Sequence, residues 1–72
     1  MQDLSVGEKL SILRKRHKEN QHDLAIAIKC GDSTISRLER NITNLYPELL
    51  IAICKHYNIS ADWLLGIEGS KE

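Results

Sequence analysis

Twenty residues, Gln21 to Arg40, constrain this chain more than any others. They read QHDLAIAIKCGDSTISRLER. Two short apolar-periodic runs, Leu24-Ala25-Ile28 and Ile35-Leu38, lie on either side of a small turn, Lys29-Cys30-Gly31. Spacings of one, three and four residues put each run on one face of a helix, not on alternate sides of a strand. Helices this short are not stable alone in water, so the two must pack on each other and on the rest of the chain. Ala25 supplies the small residue that a close helix crossing needs. The pattern predicts two short helices, 21–28 and 32–40, joined at the turn.

The flanking segments read as further helices. Over 5–18, Ser5 and Glu8 fit a capping box. Val6, Leu10, Leu13 and His17 follow helical spacing as a buried stripe, with Ile12 off it. Lys15, Arg16 and Lys18 crowd the last turn, where they either complement the helix dipole or offer a patch to phosphates. Asn20 fits the N-cap of the second helix, with Asp23 at the box position. Either Gly31 or Asp32 caps the third. After the loop Asn41 to Tyr46, Pro47 suits the first turn of a helix over 47–57. That helix is expected to bury Leu50, Ile53, Cys54 and Tyr57, with Asn58 left-handed at its end. Ser60 caps a short helix, 61–65, that Gly66 ends and whose Leu64 closes the core. Residues 67–72 read as a frayed tail. Trp63 and Ile67 either cover the core edge or form a dimer contact.

With 72 residues, 42% of them hydrophobic and no Phe, the core must be mostly Leu and Ile. The expectation is one all-α, compact five-helix domain over 1–72, near the lower size limit for folding unaided. No apolar run approaches a membrane span, and the N-terminus lacks the pattern of a signal peptide. Cys30 and Cys54 fall on apolar-periodic positions without CxxC or a nearby His. Both read as buried thiols in a reducing cytoplasm, and no metal or cofactor is expected. His17 is placed on the inner edge of the first helix, and His22 and His56 in solvent. None has a nucleophile or acidic partner at catalytic spacing, so no enzyme activity is expected.

The formal net charge is zero. Residues 1–40 carry eight Lys/Arg against six Asp/Glu, and residues 41–72 two against four. That asymmetry has the sign a polyanion partner would favour, but it is small. The outer face of the third helix is more telling. Asp32, Ser33, Thr34, Ser36 and Arg37 are short hydrogen-bonding groups plus one guanidinium, on positions the core does not use. Arg can hold guanine O6 and N7, Ser and Thr can reach bases or phosphates, and Asp can accept from cytosine N4 or cap the helix. Asn41 and Asn44 suit both turns and phosphate contact. The layout is that of a helix-turn-helix, in which one helix braces another in a DNA major groove. Ile26 points away from the core and, with Ile12, suggests a small apolar contact surface.

Three blocks carry a resemblance: Gln21-x-x-Leu24-Ala25, then Ser33-Thr34-Ile35-Ser36-Arg37-Leu38-Glu39-Arg40, then Ser60-Ala61-Asp62-Trp63-Leu64-Leu65-Gly66. Together they resemble the Cro and phage-repressor family, the lambda-repressor-like helix-turn-helix domains, without gaps from about Gly7 to Gly66. The resemblance implies a five-helix domain that binds operator DNA, often as a two-fold homodimer. Gln21 would brace the backbone and approach a base. Asp32, Ser33, Thr34 and Arg37 would face the groove, and Arg40 to Asn44 would lie near phosphates. The chain departs from the family at Lys29, where glycine is usual and for which Gly31 offers a displaced glycine. It also departs at Glu19, where leucine is usual, and at Asn41, where glycine is usual. The implied function is Cro-like: a phage-type transcriptional regulator of a lysogeny switch in the bacterial host cytoplasm, the whole chain being the binding domain. The alternative is a modulator of repression or antirepressor that binds a cognate phage repressor. Asp23, Ile26, Asp32 and Arg37, on the second and third helices, would then meet that protein.

Overall fold

A computed structural model describes residues 4–66. The expected tail at 67–72, including Ile67, lies outside the described residues. Five helices follow in order: α1 (Val6–Arg16), α2 (Gln21–Ala27), α3 (Asp32–Glu39), α4 (Pro47–Tyr57) and α5 (Ala61–Leu65). Among the described residues all regular structure is helical, as the periodicity requires.

The helix starts follow the capping logic closely. Ser5 Oγ accepts from Glu8 N at 3.1 Å, and Glu8 Oε1 accepts from Ser5 N at 2.9 Å. Asn20 and Asp23 repeat the arrangement on α2, at 2.7 and 3.1 Å. Ser60 Oγ accepts from Trp63 N at 3.1 Å. Gly31 caps α3 without a side-chain bond, which makes Asp32 the first helical residue rather than the cap.

The ends of α1, α2 and α3 come earlier than the expected 18, 28 and 40, and the cause is common to all three. Lys18, Lys29 and Asn41 adopt left-handed φ values of 58°, 59° and 60°. The next amide then reaches back to a carbonyl five residues earlier: Glu19 N to Arg14 O, Cys30 N to Ala25 O and Ile42 N to Arg37 O. This closes the last turn and satisfies its carbonyls. Asn58, at φ 56°, does the same for α4 as expected. The turn therefore differs from the reading that Gly31 replaces the missing glycine. Gly31 has φ −83°, and Lys29 itself takes the left-handed conformation, at a cost of about 1 kcal/mol.

The core comprises Leu10, Leu13, Leu24, Ala25, Ile28, Ile35, Leu38, Leu49, Ile53, Tyr57 and Leu64. On α4 the innermost line is Leu49, Ile53 and Tyr57, four residues apart. The expected Leu50 and Cys54 flank that line and are only half-buried, as is Cys30. Burial nonetheless pushes both thiols up in pKa, helped at Cys30 by the Asp32 charge. Val6 is half-buried, and His17, expected inside, is exposed. His17 is the C-cap of α1, its amide still bonded to Leu13 O at 3.1 Å, at the solvent edge of the stripe. Its ring rests 4.9 Å from that of Tyr57 instead.

Gly7 fixes how α1 meets α3. A Cβ at Gly7 would stand 2.5 Å from the carbonyl oxygens of Leu38 and Glu39, so only glycine permits this approach. Asn41 completes the joint. Its Oδ1 accepts from Gly7 N at 3.1 Å and its Nδ2 donates to Ser5 Oγ at 3.0 Å.

Candidate functional site

Helix α3 buries Ile35 and Leu38 and turns Asp32, Ser33 and Arg37 outward. Its pose depends on a buried polar joint beneath it. Arg14 Nε and Nη2 donate to the two oxygens of Glu39 at 2.6 and 3.1 Å, and Nη1 donates to Glu19 O at 2.8 Å. Gln21 Nε2 donates to Glu39 Oε1 at 3.1 Å. The pair is well desolvated, with side chains 11% and 8% exposed. The hydrogen bond to Glu39 holds Arg14 protonated more firmly than a free guanidinium, against the opposing effect of burial. One joint thus ties α1, α2 and the last turn of α3.

A second joint ties the α1–α2 connection to α4. Tyr57 Oη donates to Glu19 Oε1 at 2.6 Å, and His56 Nε2 lies 2.7 Å from Glu19 Oε2. Here the unusual Glu19 finds its partners. Burial pushes the Glu19 carboxyl upward, but hydrogen bonds from Tyr57 and His56 outweigh it and leave the group below its ordinary value. Burial and the same bond push Tyr57 well above the usual phenol range. His56, expected in solvent, is exposed, and its ring pairs with Glu19, 37 residues away in the sequence.

The expected groove-facing residues fall into three groups. Ser33, Arg37, Arg40 and Asn44 are exposed, and among the described residues Arg37 and Arg40 make no ion pair. Thr34 and Ser36 sit at the edge of the face, half-buried. Gln21, Asn41 and Asp32 are exposed or half-buried but already engaged: Gln21 with Glu39, Asn41 with Ser5 and Gly7, and Asp32 with His22 Nδ1, 2.9 Å from both its oxygens. Of the alternative partner set, Ile26 is 63% exposed, and Asp23 caps α2 through Asn20 N. Trp63 is half-buried against the core. Lys9 donates from Nζ to Trp63 O at 2.5 Å and lies 4.9 Å from the ring centroid.

Arg14, Lys9 and Gly7 were not singled out from the sequence, and His22, expected in solvent, is exposed but pairs with Asp32. For Arg14 and Lys9 a signal existed. Arg14 stands four residues after Leu10, and Lys9 four before Leu13, so both share the inner side of α1. The basic cluster drew attention to Lys15, Arg16 and Lys18 instead. His22 and Asp32 are ten residues apart on different helices, and no local spacing announces their contact.

A family profile described as helix-turn-helix matches residues 10–64. The HTH-type transcriptional regulator ImmR of Bacillus subtilis (strain 168) is 29% identical over 63 residues, covering 88% of this chain and 50% of that protein. This chain therefore spans about half the length of that relative. The P22 c2 repressor, solved with synthetic operator 9T, superposes with a TM-score of 0.83 at 32% identity, covering 88% of this chain and 96% of the other. The solution structure of the P22 c2 repressor DNA-binding domain gives 0.81 at 29% identity, covering 100% and 92%.

Proposed function

The chain belongs to the helix-turn-helix family, and from that premise we propose that it is a DNA-binding transcriptional regulator of the repressor type. Helix α3 enters the major groove and α2 braces it. The observation that carries this reading is the division of α3 into a core side and an outer side that keeps Ser33 and Arg37 exposed and, among the described residues, uncommitted. Arg37 is the base reader. Ser33, Thr34 and Ser36 reach bases or phosphates, and Arg40 and Asn44 hold the backbone. The likeness to a repressor solved on its operator supports the same docking. A Cro-like place in a lysogeny switch, acting as a two-fold dimer, is the finer form of the proposal. In that form α5 is the dimer element, through Trp63.

Selection from a random duplex pool identifies the preferred site. On that duplex Arg37→Ala is expected to weaken binding by about 1–3 kcal/mol and to relax preference at one base pair. Affinity is expected to fall steeply with salt. Absence of any enriched sequence, with no duplex retarded at low salt, sinks the reading.

One observation favours a second target. Ile26 is 63% exposed in the middle of α2, beside the face that bears Asp23 and Asp32. This suits an apolar anchor within an acidic rim for the basic reading surface of a cognate repressor. Ile26→Asp should then abolish co-elution with that repressor and leave the melting temperature unchanged. Unchanged co-elution removes Ile26 from the account.

A further inference from the structure

His22 stands on the same outer face, and its environment is specific. The imidazole and the Asp32 carboxylate are 62% and 61% exposed. Nδ1 lies 2.9 Å from both carboxylate oxygens. An ionised carboxylate can only accept, so Nδ1 carries the hydrogen and donates it. In the neutral ring this assigns the hydrogen to Nδ1 and leaves Nε2, on the far side, as an acceptor. Taking up a proton turns Nε2 into a second donor and brings the pair from one net negative charge to none. No hydrogen bond to Nε2 occurs among the described residues.

We propose that His22 is a DNA-contacting residue, held in place by Asp32, and that its imidazolium donates Nε2–H to a phosphate oxygen so that binding takes up one proton. The proposal rests on the DNA reading above and deepens it. The neutral pair would present a negative charge and a lone pair to a polyanion, both unfavourable. The protonated pair cancels the Asp32 charge and adds a donor. Asp32 is then a positioning residue rather than a reader of cytosine, which explains how a carboxylate can stand at the start of a groove-facing helix.

The neighbouring charges do not replace this effect. On α2 itself, Asp23 is engaged with Asn20 N. From α3, Asp32 is the ionisable group in contact. From the turn, Lys29 is exposed and the Cys30 thiol is pushed up by burial and then by Asp32. From α1, Arg14 is taken by Glu39 and Glu19 O. His22 is the imidazole on this face.

The test uses the full chain and a fluorescent mixed-sequence duplex, with Kd measured by anisotropy from about pH 5.5 to about pH 8. The wild type is expected to weaken as pH rises, by up to about tenfold per pH unit for one linked proton. His22→Gln should lose that dependence. Its salt slope at about pH 5.5 should be shallower than that of the wild type by about one. Asp32→Asn keeps an oxygen for Nδ1 and removes the charge, so its gain in affinity over wild type should be largest near pH 8. Because both side chains are exposed, circular dichroism should show each variant folded. An unchanged pH dependence in His22→Gln overturns the proposal and leaves the DNA reading standing. Failure of the wild type to bind duplex at any pH overturns both. Nitrogen shifts of the free protein's imidazole provide a check that needs no DNA, and an Nε2–H tautomer at high pH overturns the proposal.

Discussion

Three of the carboxylates around the α2–α3 pair, Glu39, Glu19 and Asp32, differ in a way that separates framework from surface. Glu39 is 8% exposed and meets a guanidinium and an amide. Glu19 is 18% exposed and meets a phenol and an imidazole. Asp32 is 61% exposed and meets one imidazole. The first two are desolvated, so each must have fixed partners, and those partners come from other helices. The third keeps its water, and its single partner lies on the outer face. Burial therefore decides which acidic residue orients the helices and which can take part in recognition.

The largest break in this comparison should come at Glu39. Glu39→Ala leaves the Arg14 guanidinium buried with its main acceptor gone and frees the Gln21 amide. Removing one partner of a buried ion pair costs about 3–5 kcal/mol. In a domain this small that is a large share of total stability. Urea unfolding is the measurement, and a loss under about 1 kcal/mol would mean that water relieves Arg14 more fully than its exposure implies.

Glu19 should be intermediate and should carry an acid signature. Its carboxyl is pushed up by burial and, more strongly in sum, pulled down by Tyr57 and His56, so its folded value lies below the unfolded one. The stability it contributes is present above the unfolded value of about 4.3. It is lost as pH falls through the folded value. Glu19→Gln keeps an acceptor for Tyr57 but not the charge. It should cost about 2 kcal/mol at neutral pH and flatten the loss of stability below about pH 4.3. Thermal melts across that range provide the reading; an acid limb as steep in the variant as in the wild type assigns it to other carboxylates.

The same contrast explains what could be read from sequence alone. Caps are local: Ser5 with Glu8, and Asn20 with Asp23, lie three residues apart, so the helix starts were legible. The inner face of the motif was legible too, because Leu24, Ala25, Ile28, Ile35 and Leu38 repeat with the helical period. Helix ends were less so, since Lys18 and Lys29 take a left-handed conformation that lysine rarely adopts. The polar joints were not legible. Arg14 with Glu39, Glu19 with Tyr57, and His22 with Asp32 join residues 25, 38 and 10 positions apart. Only the assembled fold brings them together, and this is why Gln21 and Asn41, expected to be free for a partner, prove to be already engaged.

The smallest expected effect is the sharpest test of the contrast, because it requires stability and recognition to separate at one residue. Asp32→Asn removes a charge that is mostly in water, so the ion pair it breaks contributes little after solvent screening. Stability at neutral pH should stay within about 0.5 kcal/mol of wild type. DNA affinity, by contrast, should rise, since a negative charge has left the face that meets phosphates. Urea unfolding and anisotropy on the same preparation give both numbers. A stability loss comparable with that of Glu19→Gln would place Asp32 in the framework with the other two carboxylates. The His22 contact would then be a structural joint between α2 and α3 rather than part of the reading surface.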